Sequence, residues 1–465
     1  MNKARAFFLA CTPQPIRMCA AAAKISTQPG SAVELYDAVD PVKGNKLIGK
    51  VTGLGHVTIM EHAVFNIAFE DVSMMFEQFL IDHRIAAYTI KSRRYVDYSF
   101  KGALTPKMRY KTISGHSESA QQQYEKLTYE LFEAYRQLKD LGIPAEDARY
   151  VLPYSLRSQI YCTMNARELK QLIHHCLYGH GRPYLEFRAI GKQLQNMADY
   201  QLPPYFTEDM GVDISTDRKE KKLKDLFNEV DEAFTQREEP RDMPQVELFE
   251  STEDGSKSVA AAAFMNSTGC SFGSAFEAMD DYELVDKTLG IICSEPRARE
   301  LEQFTASFRL GNMSLPCLTH LARHRLHSPI IPAFADMIKR PTGLVPYTIR
   351  DNPAAEKIYD QCFEKSYALY KDLEAEGIMK EDLAYLMLCG NTVDVQTTMN
   401  GRELFHFFKL RRCNRAQWEI RDYANALWEA LMVEDNHLFR YAGPDCVTKG
   451  KCPEGAMSCG EPLTQ

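Results

Sequence analysis

The sequence predicts an α+β fold that occurs twice, each copy an antiparallel sheet with long helices, and three observations predict it. The segment from Tyr124, YEKLTYELFEAYRQLKDLGIPAEDARYVLPYSLRSQIYCTMNAREL, aligns without a gap to the segment from Tyr359, YDQCFEKSYALYKDLEAEGIMKEDLAYLMLCGNTVDVQTTMNGREL. Upstream, FLIDHRIAAYTIKSRRY around His83 faces THLARHRLHSPIIPAFA around His324, and CAAAAKIST at Cys19 faces VAAAAFMNS at Val259, in the same order. A repeat this long is a duplicated domain, not a solenoid unit. Third, strand and helix patterns do not alternate regularly, which argues against a doubly wound sheet.

The 465 residues are too many for one ordinary core and suit two domains of about 200 residues each. Copy one is placed at 1–235, a linker at 236–245, copy two at 246–440 and a Cys/Gly/Pro-rich tail at 441–465. The linker, QREEPRDMPQ, is charged, proline-bearing and poor in large apolar residues. Each copy opens with a short strand, AFFLA or VELFE, followed by an Ala-rich helix. HAVFNIAFEDVSMMFEQFLIDHR passes from alternation into a helical pattern. Long amphipathic helices follow from about Ser117 and Pro353, and a last helix begins at Asn165 or Asn400.

Composition narrows the function classes. A hydrophobic share of 45% with 25% charged is that of a soluble globular protein. No apolar run of about 18 residues occurs, so no membrane span is expected. MNKARAFFLACTPQP reads as an edge strand rather than a signal peptide. Thirteen cysteines without a secretion signal point to a reducing cytoplasm. The net charge of −8, with no basic run interleaved with aromatics, argues against nucleic acid as a partner.

Two constellations carry chemistry. Copy two contains Arg323-His324-Arg325, three adjacent donors suited to phosphate, pyrophosphate or an electron-rich ring. Copy one has Asp82-His83-Arg84 there, but keeps Ser92, Arg93, Arg94 and Tyr95 downstream, where copy two has Ala333, Phe334 and Ala335. In isolation either motif also reads as a solvated turn or surface loop. The second constellation is the last helix. Asn400 and Arg402 open it, His406 shares a face with Arg402, and Arg411 follows. In copy one Asn165 and Arg167 persist, Gln171 replaces the histidine and Cys176 stands in place of Arg411. Arg149 of copy one corresponds to Ala384, while Glu146 and Glu381 are paired in both. Arg412, Arg415 and Arg421 read as helix-surface charges.

GLGHVTIMEHAVF at 53–65, the HR…S.RY run, TMNAREL and RELFHFF…CNRAQWEIR together resemble the flavin-dependent thymidylate synthase (ThyX) family, in tandem. The resemblance implies a methyltransferase of nucleotide biosynthesis. It would methylate dUMP to dTMP, with carbon from methylenetetrahydrofolate and reducing equivalents from NADPH through FAD, and without a cysteine nucleophile. It also implies site residues. Arg411 matches the arginine that stabilises the ionised pyrimidine. Ser92, Arg93, Arg94, Arg149, His320, Arg323 and Arg411 match dUMP-binding positions. His56, Thr58, Asn165, Arg167, Arg323, His324, Arg325, Asn400, Arg402 and His406 match flavin-binding positions. Each copy keeps the half of the dUMP set that the other has lost, so composite sites are expected. The family's homotetramer would become a homodimer of tandem chains. The alternative is a catalytically silent flavin- or nucleotide-binding paralogue that regulates or scaffolds a partner.

The tail GPDCVTKGKCPEGAMSCGEP has no hydrophobic periodicity. Cys446, Cys452 and Cys459, with Cys413 as a fourth ligand, could hold a structural zinc. The spacing matches no standard CxxC knuckle, and a packed or disordered tail with free thiols is the other reading.

Overall fold

The computed structural model describes residues 4–206, 222–223, 225–227, 245–295, 298–337, 340–461 and 463. The expected linker at 236–245 lies outside the described residues, Gln245 excepted. Among the described residues no helix is long and apolar enough to cross a membrane. The chain divides into two compact units, one drawn from Met1–Glu239 and Tyr347–Cys389, the other from Pro240–Pro346 and Gly390–Gln465. Residues 347–389 thus belong to the second sequence copy and to the first compact unit.

In the first unit, β1 (Arg5–Cys11), β2 (Val64–Ser73), β3 (Ala86–Ile90) and β4 (Arg157–Asn165) form an antiparallel sheet in the order β1-β2-β4-β3. Alternation sets the faces: Ser158, Ile160, Cys162 and Met164 of β4 are buried between less buried neighbours. Helices α1 (Pro15–Ile25), α2 (Ala32–Asp37) and α3 (Pro41–Gly53) precede β2, and α4 (Met74–Ile81) follows it. The long α5 (Glu118–Asp140) starts at Ser117, whose side chain accepts from the Ala120 amide. After β4 come α6 (Ala166–Leu177) and α7 (Leu185–Gln201).

The second unit repeats the plan with β5 (Gln245–Ser251), α8 (Gly255–Thr268), α9 (Phe272–Ala278), α10 (Tyr282–Ser294), β6 (Thr305–Ser314), α11 (Leu315–Leu321), β7 (Thr392–Asn400), α13 (Gly401–Arg411) and α14 (Trp418–Glu434). The sheet order is β5-β6-β7, again antiparallel. Helix α12 (Pro353–Ala375) packs in the first unit, antiparallel to α5: Ser117 Oγ donates to Glu376 Oε1 at 2.8 Å, and Lys365 Nζ meets Glu130 Oε2 at 2.7 Å. Tyr124, Leu131, Tyr135, Tyr359 and Phe363 are buried on these two helices. The sequence placed the starts near Ser117 and Pro353, close to the observed Glu118 and Pro353, but gave no hint that the helices pair.

One difference from the sequence reading has a plain cause. The helices opened by Asn165 and Asn400 are not the last: α7 and α14 follow each. Their acidic residues Glu186 and Glu419 explain why. Glu186 accepts from the amide and hydroxyl of Ser73, at 2.7 and 2.6 Å; Glu419 accepts from the same two groups of Ser314, with the amide at 2.7 Å. Each serine also caps the helix after its strand, so a buried carboxylate locks strand, cap and following helix together. Before β4, which begins at Arg157, Arg149–Val151 form a 3₁₀ turn.

Candidate functional site

The second unit gathers the RHR motif and α13 around one cavity of about 540 Å³. Arg323, Arg325, Arg402, His406, Lys409 and Lys449 line it, with the acids Glu295, Glu403 and Asp445. Arg402 is held at 2.7 Å by Glu302 on a short 3₁₀ turn. Asn400 caps α13, its side-chain oxygen accepting from the Glu403 amide at 2.9 Å. A concave surface carrying this many cations suits an anionic ligand such as a pyrophosphate. His324, Glu403 and His406 place their ligand atoms within 4.8 Å of one another, a spacing that could also hold a metal. Arg411 occupies His324 Nε2, however, and the surrounding guanidiniums oppose a cation.

His324 lies under this cavity, 1% exposed, and not on its wall. Its Nδ1 stands 2.9 Å from Glu403 Oε1, and its Nε2 accepts from Arg411 Nε at 2.9 Å. An Nε2 that accepts requires the proton on Nδ1, which fixes the neutral tautomer. Burial, then the charges of Arg411 and His406, push its pKa well below the ordinary histidine value. Arg411 also donates to the carbonyl of His320 at 3.2 Å. The chain Glu403–His324–Arg411 therefore orients a guanidinium without neutralising it.

In the first unit the serine–arginine loop and the turn before β4 come together. Arg94 Nε donates to Glu146 Oε2 at 2.5 Å, and the Arg94 amide donates to Ser92 Oγ at 3.2 Å. Arg149 Nε donates to the carbonyl of the same Glu146 at 2.9 Å. Arg149 is 4% exposed, and one of its terminal nitrogens has no hydrogen-bond partner. Burial pulls its pKa down. A buried guanidinium without a carboxylate is costly unless an anion completes it.

Arg93 stands apart from this pair. Its two terminal nitrogens meet Glu77 at 2.8 and 2.6 Å, beside Ser158, while its Nε has no hydrogen-bond partner. Burial opposes its charge, but the Glu77 carboxylate outweighs it and holds the pKa above the ordinary value. This ion pair anchors the loop that carries Ser92 and Arg94 to the buried Glu77.

The remaining expected positions sit on the outside of the first unit. His56 and Thr58 are exposed at the start of a 3₁₀ turn, Val57–His62. Glu61 on that turn pairs at 2.6 Å with Arg167, and Asn165 caps α6 by accepting from the Glu168 amide at 2.9 Å. Glu61–Arg167 and Glu302–Arg402 are the same ion pair in the two copies. The sequence reading missed Glu403, Glu77 and Lys409. Glu403 had a signal, since Glu168 occupies its place in copy one; Glu77, opposite Leu318, had none.

The model of the family "Thymidylate synthase complementing protein" matches the chain twice, at residues 8–203 and 247–434. A flavin-dependent thymidylate synthase of Geobacter sulfurreducens is 34% identical over 198 residues, covering 42% of this chain and 83% of that protein. One from Clostridium tetani is 30% identical over 239 residues, covering 47% of this chain and 93% of that protein. Each relative is thus nearly whole in a match that takes less than half of this chain. Among solved structures, the UMP/dUMP methylase PolB from Streptomyces cacaoi with 5-Br dUMP aligns at a TM-score of 0.37 and 21% identity, over 44% of this chain and 94% of that one.

Proposed function

Because the chain belongs to the thymidylate synthase complementing protein family, in tandem form, we propose that it is a flavin-dependent thymidylate synthase that methylates dUMP to dTMP with composite use of its two copies. The relatives' names favour the active enzyme over a silent paralogue. Methylenetetrahydrofolate supplies the carbon and NADPH the reducing equivalents. The cation-lined cavity fits FAD: Arg323, Arg325, Arg402 and His406 would hold its pyrophosphate and adenosine side, with Asn400 at the helix start. His56, Thr58, Asn165 and Arg167 form the corresponding set in copy one. When bound, the flavin carries reducing equivalents from NADPH to the transferred carbon.

The observation that carries the dUMP reading is Arg149, buried with an unpartnered nitrogen. A phosphate oxygen would complete it, with Arg94 and Ser92 as further donors. Arg411 does the chemical work on the pyrimidine. Its charge stabilises negative charge developing at N3, and the neutral His324 behind it keeps the guanidinium aimed without competing for it. Arg323 and His320 belong to the same half-set.

A complete anion-binding set requires residues of both copies. The reverse combination would offer Asp82, Cys176, Ala333 and Ala384, which lacks nearly every donor. We therefore expect a homodimer binding one dUMP per chain. Calorimetric titration of dUMP into flavin-loaded protein, with mass from light scattering, tests this. Two dUMP per chain at similar affinity, or an active monomer, would refute the division, and a purified protein that is not yellow would refute the flavin assignment.

A further inference from the structure

The C-terminal tail of the second unit is fixed in a way its own side chains do not explain. From Thr448 to Glu461 every residue is exposed except Cys452 and Cys459, so the tail turns inward its two thiols and nothing else. No buried apolar side chain orders this stretch. Two contacts nevertheless tie its ends to one place, the C-terminal end of α13. Lys409 Nζ meets Asp445 Oδ2 at 2.8 Å, and Asn414 Nδ2 donates to the Glu461 carbonyl at 2.9 Å. Cys413 lies between Lys409 and Asn414, Cys446 follows Asp445, and Cys459 precedes Glu461 by two residues. Gly450 and Gly460 adopt φ of 64° and 75°, left-handed turns that L side chains rarely take, two residues before Cys452 and directly after Cys459.

We propose that Cys413, Cys446, Cys452 and Cys459 bind one zinc ion as a four-thiolate site that fastens the tail to the end of α13. All four are free and partly exposed, so an ion can reach them. The contacts of Asn414 with Glu461 and of Lys409 with Asp445 bring the segments that carry Cys413, Cys446 and Cys459 to the same end of α13. Binding releases the thiol protons to solvent and oxidises nothing. Zinc takes four such ligands tetrahedrally, at sulphur distances of about 2.3 Å. Among the described residues, His324, Glu403 and His406 are the only group of three or more with all ligand atoms within 4.8 Å, so closing this four-thiolate site requires its sulphurs to approach one another. Asp445, Thr448 and Lys449 of this segment line the same cavity as Arg325 and Arg402, and the metal-content readout is independent of dUMP or flavin binding.

The test is elemental analysis of the full chain, purified without a histidine tag or chelator. We expect one zinc per chain, falling at least tenfold in Cys452→Ser and Cys459→Ser and unchanged in Cys270→Ser. Cobalt(II) loaded into the wild-type chain should show thiolate-to-cobalt charge-transfer bands of a tetrahedral site, a readout that needs no variant to fold. Less than a tenth of an equivalent of any transition metal in the wild type, with no cobalt bands, would overturn the proposal. So would full zinc retention in both tail variants.

Discussion

His83 and His324 hold the same place in the two copies and keep different company. His324 joins Glu403 to Arg411 under a cationic cavity. His83 is buried too, but its Nε2 stands 3.2 Å from His175 Nδ1, and its ring packs on Phe79. In place of Arg411 is Cys176, 0% exposed, its thiol pushed up by burial. Gly191 of α7 lies so close that an added Cβ would come within 2.6 Å of the Cys176 Cβ. The space an arginine needs has been closed by a neighbouring helix. Copy one has converted a charge-positioning device into core packing, and it keeps its own charge, Arg149, elsewhere.

This contrast can be broken in order of expected effect. Arg411→Ala should lower dTMP formation by about a hundredfold to a thousandfold, the scale of losing one transition-state donor, while flavin absorbance on the purified protein persists. Near-normal turnover would sink the assignment. The mirror change, Cys176→Arg, should destabilise the first unit by at least about 3 kcal/mol, because it forces an unpaired guanidinium into a closed core. Chemical denaturation reads this, and an unchanged midpoint would show that the packing is not closed.

Arg149→Met keeps the stem and removes the charge. dUMP affinity should fall ten- to a hundredfold, the worth of a charge-assisted hydrogen bond of roughly 1.5–3 kcal/mol. Stability without ligand should hold or rise, since the guanidinium lacks a carboxylate. A loss of stability with unchanged dUMP affinity would mean that Arg149 is structural, as Arg93 is. The smallest effect concerns pH. The folded pKa of His324 lies below its unfolded value of about 6.5, so the unfolded chain binds the extra proton first. Its contribution to stability is then complete above pH 6.5 and declines as pH falls toward the folded pKa. His324→Asn should flatten that acid limb in thermal scans across pH 5–8; an unaltered profile would remove His324 as its source.

The duplication, the strand–helix order and the starts of α5 and α12 were legible because apolar periodicity and capping residues are local signals. Helices α7 and α14 were not, since what fixes them is a carboxylate reaching back more than a hundred residues to Ser73 or Ser314. Proline explains a difference between the sheets. β3 has its counterpart around His327–Ile331, where Pro329 and Pro332 cannot donate and pairing shrinks to bridges at His327 and Ile330. For the candidate site, sequence comparison of the copies singled out Arg411, Arg323, Arg94 and Arg149. It could not tell Arg93, paired with Glu77, from Arg94, because adjacent arginines look alike until burial separates them.

Helix α12 belongs to the second repeat by sequence and to the first unit by packing. During synthesis the first unit cannot be finished until the ribosome has passed Cys389, well into the second copy. A gene cut at the boundary between repeats would yield a front half lacking α12 and a back half carrying it without its partner α5. The two repeats of the sequence are therefore not the two bodies into which the chain folds.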